Sequence, residues 1–168
     1  YYHCIGHLLR HLHVKNHAFS GLNVNQIIRR ALHEELSLKD NIKKKIADFK
    51  ASNWPEKVIG IHIRYTDRRA DLNKYEQALT SFLKLAPDAY IFLATDNQQV
   101  CENYHRRFKN VISTPKWFPD GMSSMHQNCS CPDKVANGIE ALVDMYLLAD
   151  CDYLIYPRSS TFSCIARL

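Results

Sequence analysis

Val58-Ile-Gly-Ile-His-Ile-Arg-Tyr-Thr-Asp67 is the stretch on which the fold of this chain turns. Its first six residues are apolar almost without a break, the pattern of a central parallel strand covered on both faces. Its last residues bring His62, Arg64 and Asp67 to the strand's end. Working outward, Ala89-Tyr-Ile-Phe-Leu-Ala94 reads as a second buried strand closed by Thr95-Asp-Asn97. Val111-Ile112 reads as a short third strand and Tyr153-Leu-Ile-Tyr156 as a fourth. Helices fill the intervals: Tyr75 to Leu85, with Ala78, Leu79, Phe82 and Leu83 on the inner side; Gln98 to Phe108; and the strongly apolar Gly138 to Ala149. Strand and helix in alternation imply right-handed crossovers and an α/β fold, a Rossmann-like doubly wound parallel sheet.

Upstream the period changes. Val24, Ile27, Ile28 and Leu32 recur at helical spacing over about residues 24 to 36, and Ser37-Leu-Lys-Asp40 resembles the start of a further helix with Ser37 as its N-cap. Ile42, Ile46 and Phe49 give that helix its apolar stripe, and Asn53-Trp-Pro-Glu56 ends it, because proline disfavours helix in the residue before it. His3, His7 and His11 would share a helix face and could hold a metal at i, i+4 spacing. No matching acidic ligand accompanies them, and the interleaved Leu8, Leu9 and Leu12 favour a partly buried helix.

The chain's 168 residues, 46% hydrophobic and 23% charged, are those of one ordinary globular domain. No apolar run approaches the roughly 20 residues of a membrane helix, so no membrane span is expected. The net charge of +5 suits a small anionic ligand as well as a polyanion. No basic stripe with interleaved aromatics appears, which argues against nucleic acid as a partner. Cys129-Ser-Cys131 is too tight for a metal knuckle, and Cys4, Cys101, Cys151 and Cys164 sit in apolar patterns where buried free thiols are expected.

In parallel α/β sheets, ligands bind outside the carboxyl ends of the strands. That rule selects His62 to Arg69, Thr95 to Asn97 and Arg158 to Thr161. Arg64 ends an otherwise apolar strand, where a charge needs a partner or a ligand, and its guanidinium suits bidentate phosphate binding. The competing reading is an ion pair with Asp67 or Asp96. Ser159-Ser160-Thr161 opens a helix after the last strand, an arrangement that serves either as an anion site or as a plain N-cap. Asp144 shares a helix face with Ala141, Leu147 and Leu148, and so points either into a site or out past the core. The chain has no glycine-rich P-loop, no GxGxxG after Ile63 and no GxSxG, which argues against P-loop kinases, the usual dinucleotide oxidoreductases and serine hydrolases. It is also read as lacking a DxD pair of the kind that holds a divalent metal on a nucleotide-sugar.

Four segments, Ile59 to Asp67, Ile91-Phe-Leu-Ala-Thr-Asp96, Leu142-Val-Asp-Met-Tyr-Leu-Leu-Ala-Asp-Cys-Asp-Tyr-Leu-Ile155 and Ser159-Ser160, resemble in order the motifs of α-1,6-fucosyltransferases. That family groups NodZ-like rhizobial enzymes with eukaryotic enzymes that fucosylate N-glycan cores, and the likeness spans about residues 57 to 168. It implies the C-terminal, donor-binding half of a GT-B glycosyltransferase that moves fucose from GDP-fucose, with inversion and without a metal or other cofactor, to a glycan hydroxyl such as O6 of N-acetylglucosamine. Its partners would be the nucleotide-sugar donor and a glycan acceptor. Arg64 would hold the β-phosphate, His62 and Asp144 would face the guanine, and Ser159, Ser160 and Thr161 (where the family often has Gln) would meet the phosphates. Asp67 and Asp96 match acidic positions that support the site. Tyr65 replaces a second arginine, and Arg68 fills a lysine-like position with its charge preserved. The loop that follows is short, leaving Asp71 as the candidate catalytic base beside Arg64. Two other readings stay open: a protein O-fucosyltransferase or GT-B enzyme with another donor, and a non-catalytic GDP-binding domain. The resemblance implies cytoplasmic action for a bacterial member and the Golgi lumen for a eukaryotic one. The expected organisation is a helical segment over residues 1–55, a remnant of or connector to an N-terminal domain, followed by a nucleotide-sugar-binding domain over 56–168. Tyr1 in place of Met, and a helix just begun at Phe162, are read as signs of cut ends.

Overall fold

A computed structural model describes residues 19–66, 69–119 and 130–168. The histidines of the first 18 residues, Cys4, Cys129, Asp67 and Arg68 lie outside the described residues. Compactness divides the chain between Lys39 and Asp40. In the first unit, α1 (Val24–Arg30) widens into a π-helical stretch over Ala31–Glu35. A capping box starts it: the Asn23 side chain accepts the Gln26 N–H at 3.0 Å, and the Gln26 side chain accepts the Asn23 N–H at 2.8 Å.

The second unit begins with α2 (Asp40–Asn53), which starts at Asp40 rather than directly after Ser37. This helix belongs with the sheet because its aromatic end packs there. The Phe49 and Trp54 rings lie 6.1 and 5.5 Å from the Phe92 ring of β2 (Tyr90–Thr95). Lys50 also pairs with Asp150 at 2.8 Å.

The remaining elements are β1 (Val58–Ile63), α3 (Leu72–Leu85), α4 (Gln98–Arg107), β3 (Val111–Ile112), α5 (Lys134–Ala149), β4 (Tyr153–Ile155) and α6 (Thr161–Ala166). Among the described residues the sheet has four strands, all parallel, in the order β3-β2-β1-β4. β1 is central: Ile61 pairs with Leu93 on one side and Ile155 on the other. Ile59, Ile61, Ile63, Ile91 and Leu93 form the main core with Tyr75 and Leu79 of α3 and Val100 and Tyr104 of α4. The alternate residues of β1 and β2, among them Gly60, His62 and Phe92, face the opposite side, where Phe92 meets Phe49 of α2 and His62 meets α6. The parallel doubly wound sheet expected from the alternation is therefore what the chain forms.

Gly60 sets how closely β1 approaches its neighbours. A Cβ there would stand 2.8 Å from Cys151 Sγ and 3.1 Å from Leu154 Cδ1. Cys151 cannot easily retreat, because its thiol donates to the Leu147 carbonyl at 3.3 Å. Gly60→Ala is expected to destabilise the protein by about 1–3 kcal/mol through overpacking. Urea unfolding measures this, and adding Cys151→Ala should recover part of the loss. A Gly60→Ala chain as stable as wild type would show that the strand and the Cys151 turn are not in this contact.

Candidate functional site

The chain runs from β1 outward to β2 and β3, then returns to place β4 on β1's other side. That reversal leaves a crevice outside the carboxyl ends of β1 and β4, the position where such sheets bind ligands. A cleft of about 370 Å³ lies there. Of the residues selected from the sequence, His62, Arg64, Asp96, Asp144 and Ser160 line it.

His62, the fifth residue of β1, turns toward α6. Its Nδ1 is hydrogen-bonded to the Ser163 hydroxyl, and its ring lies 4.8 Å from that of Phe162. Burial lowers its pKa from 6.5 to about 4; Asp96 opposes the shift, while the Lys116 and Arg64 cations add to it. The imidazole is therefore neutral at pH 7, with one ring nitrogen a donor and the other an acceptor. Between pH 6.5 and 4 the unfolded chain binds a proton at His62 that the folded chain refuses. The stability from this residue is complete above 6.5 and is lost as pH falls toward 4, by at most about 3 kcal/mol. Comparing urea midpoints across that window should show His62→Gln with a flatter profile than wild type. Parallel profiles would place His62 in water rather than under α6.

Asp96 sits just past β2 and fixes the turn after β1. Its Oδ1 accepts the Tyr65 N–H at 2.7 Å, and its Oδ2 accepts the Thr66 hydroxyl at 2.6 Å. The two bonds hold the Tyr65 backbone and the Thr66 side chain, immediately beyond Arg64. Asp144 faces inward from α5. Its Oδ1 accepts the Thr114 hydroxyl at 2.5 Å, and its Oδ2 accepts the ammonium of Lys116. The two side chains of this ion pair are only 4% and 7% exposed. Ser160 lines the cleft while also capping α6, its hydroxyl accepting the Ser163 N–H at 3.5 Å.

Three expected residues are not brought to the cleft. Ser159 and Thr161 are exposed and do not line it. Successive residues around a helix start point in different directions, and only Ser160 turns inward. Asp71 is exposed at the N-terminal end of α3, with its carboxylate 3.7 Å from Lys74. Sequence reading missed Lys116, Thr114, Ser163 and Phe162. The strand-end rule would have found the first two had it been applied to the two-residue β3 as well as to its longer neighbours. A formal D-x-D does occur, at Asp150-Cys-Asp152, but it belongs to the opposite edge of the sheet. There Asp152 accepts the Val58 N–H at 2.7 Å at the start of β1. Among the described residues, no group of three or more His, Cys, Asp and Glu side chains is arranged to hold a metal ion. Among the same residues, no helix is long and apolar enough to cross a membrane.

With this geometry in hand, comparison with known proteins places the chain. The family model described as Nodulation protein Z (NodZ) matches residues 21–168. Nodulation protein Z of Bradyrhizobium diazoefficiens is 31% identical over 131 residues, covering 68% of this chain and 35% of that protein. Among solved structures, a NodZ alpha-1,6-fucosyltransferase co-crystallized with GDP superposes with a TM-score of 0.62 at 26% identity, covering 83% of this chain and 44% of that one. A NodZ alpha-1,6-fucosyltransferase soaked with GDP-fucose gives 0.65 at 24% identity, covering 89% and 48%, and shares the fold. The chain thus spans about a third of the length of the curated relative and under half that of the solved enzymes. Its fold is that of part of a GT-B glycosyltransferase, as the motifs implied. The match of the family model over residues 21–168, nearly the whole chain, shows that this protein belongs to the NodZ family.

Proposed function

We propose that this chain is the donor-binding part of an inverting, metal-independent fucosyltransferase that moves fucose from GDP-fucose to a glycan hydroxyl, O6 of an N-acetylglucosamine. The observation that carries the reading is convergence. His62, Arg64, Asp96, Asp144 and Ser160 come from three strand ends and one helix, lie as far as 98 positions apart, and meet in one cleft at the switch point of the sheet. The solved relatives described above were co-crystallized with GDP or soaked with GDP-fucose.

In this reading the guanine lies against His62 and Asp144, and the diphosphate runs toward Arg64 and Ser160. The acceptor oxygen attacks the anomeric carbon from the face opposite the phosphate. The bond from that carbon to the β-phosphate oxygen breaks, and its electron pair leaves with GDP. Arg64, permanently charged and able to bind two phosphate oxygens at once, stabilises the growing negative charge. A carboxylate takes the acceptor's proton. Asp71 remains the candidate in this chain, exposed and outside the nucleotide cleft at the start of α3. Asp96 supports the site by fixing the backbone after Arg64. The relatives named above are bacterial, and cytoplasmic action is the compartment that goes with this reading.

Calorimetric titration of the intact protein with GDP, GDP-fucose, GDP-mannose and UDP, followed by a transfer assay with a chitin oligosaccharide or an N-glycan, tests the proposal. GDP-linked ligands should bind and UDP should not, and fucose should appear on the acceptor. Preference for UDP would point to another donor. GDP binding with no fucose transfer to either acceptor would favour a non-catalytic nucleotide-binding protein.

A further inference from the structure

Lys116 lines the cleft and belongs to none of the four motifs. Its side chain is 4% exposed, yet among the described residues only Asp144 Oδ2 accepts from its ammonium. An ammonium has three N–H donors, and burying donors without acceptors is costly. Asp144 is incomplete in the opposite sense. Its carboxylate offers about four lone-pair sites, and Thr114 and Lys116 are its hydrogen-bond donors. Spare donor capacity and spare acceptor capacity therefore stand side by side on one wall of the cleft. The Thr114 bond holds the carboxylate in place, and the ion pair holds the ammonium.

A ligand that completes both groups needs an acceptor next to donors. We infer that Lys116 is a base-specificity residue, its ammonium donating to O6 of a guanine whose N1–H and N2–H donate to Asp144. The inference rests on the reading of this cleft as a GDP site and adds to it a residue that the four motifs do not contain. Guanine's edge runs acceptor, donor, donor; the Lys116–Asp144 pair supplies donor, acceptor, acceptor. Adenine carries an amino group in place of O6, which would set donors against the ammonium and leave buried polar groups unmatched. A site built to hydrogen-bond one edge rejects ligands that lack it far more strongly than a shape-matched apolar pocket does.

The competing role is structural: Lys116 would do no more than neutralise Asp144. The two differ in what they predict. A neutralising lysine affects all nucleotides alike, whereas a base-reading lysine affects only ligands altered at position 6. The experiment is a binding cycle at pH 7 on the intact protein with GDP, IDP, which lacks the 2-amino group, and 6-thio-GDP, in which a weakly accepting sulfur replaces O6. Wild type should prefer GDP to 6-thio-GDP by about tenfold, the size of one well-placed hydrogen bond to a charged group. In Lys116→Met that preference should fall to near unity, while the preference for GDP over IDP, carried by Asp144, persists. Lys116→Gln, whose amide still donates, should keep part of the first preference. Equal affinity of wild type for GDP and 6-thio-GDP overturns the inference, and this comparison decides even if the methionine variant does not fold. An unchanged preference in a folded Lys116→Met overturns it as well. Failure of wild type to bind GDP at all is a different result: it removes the donor-site reading, and this inference with it.

Discussion

Arg64→Ala is expected to lower fucose transfer by two to three orders of magnitude, the scale of about 3–4 kcal/mol seen when a group that stabilises transition-state charge is removed. The residue lies one position beyond the hydrogen-bonded run of β1, partly buried, on the wall of the cleft. Substitution there leaves the strand register from Val58 to Ile63 untouched, so the unfolding midpoint should move far less than the rate. Tyr65 stands where the resembling motif has a second arginine, so under the proposed phosphate role Arg64 works with less help and the loss should be correspondingly complete. Arg64→Lys keeps the charge but not the planar fork and should recover only part of the activity. Steady-state kinetics with GDP-fucose, read beside thermal unfolding of the same samples, separates rate from fold. Near-normal transfer by a folded Arg64→Ala would falsify the phosphate role.

Asp144→Ala is expected to be the most destabilising change in the cleft. It strands a lysine that is 4% exposed and removes the acceptor of the Thr114 hydroxyl. Breaking a buried ion pair from one side typically costs about 3–5 kcal/mol, because an uncompensated charge stays behind. The cost should appear as a large drop in the urea midpoint, together with loss of GDP binding. Replacing both members, Asp144→Leu with Lys116→Met, should restore much of the stability while binding stays lost, since an apolar pair of similar volume avoids the desolvation of two charges. The contrast between single and double variants is the informative result. If Asp144→Ala alone cost less than about 1 kcal/mol, the range of exposed pairs, the pair would have to be open to water in solution.

How legible the chain was depended on the range of the interactions. β1 and β2 could be read because a strand covered on both faces must be apolar nearly throughout, and Ile59, Ile61, Ile63 and Leu93 are all fully buried. α4 followed from its spacing, with Asn97 as its cap accepting the Val100 N–H at 2.9 Å. Boundaries were less legible. α5 was expected from Gly138, but it begins a turn earlier, at Lys134, where Asp133 caps it by accepting the Ala136 N–H at 2.9 Å. Gly138 is exposed, with nothing near its missing side chain, so its lack of a side chain costs the helix little beyond propensity.

The sequence alone determined the parallel α/β architecture, the edge at which a ligand must bind and five of the side chains that meet there, because apolar periodicity and strand-end position are local properties. Only the tertiary structure decided which neighbours turn inward and what they touch. It excluded Ser159 and Thr161 from the cleft while admitting Ser160, and it joined His62 to Ser163 across 101 positions. It buried Lys116 against Asp144 across 28. Nothing in Thr114-Pro-Lys-Trp-Phe-Pro119 marks its lysine as buried. That follows from a short strand delivering the segment over the sheet to a carboxylate on α5, a long-range contact set by packing and without a local signature.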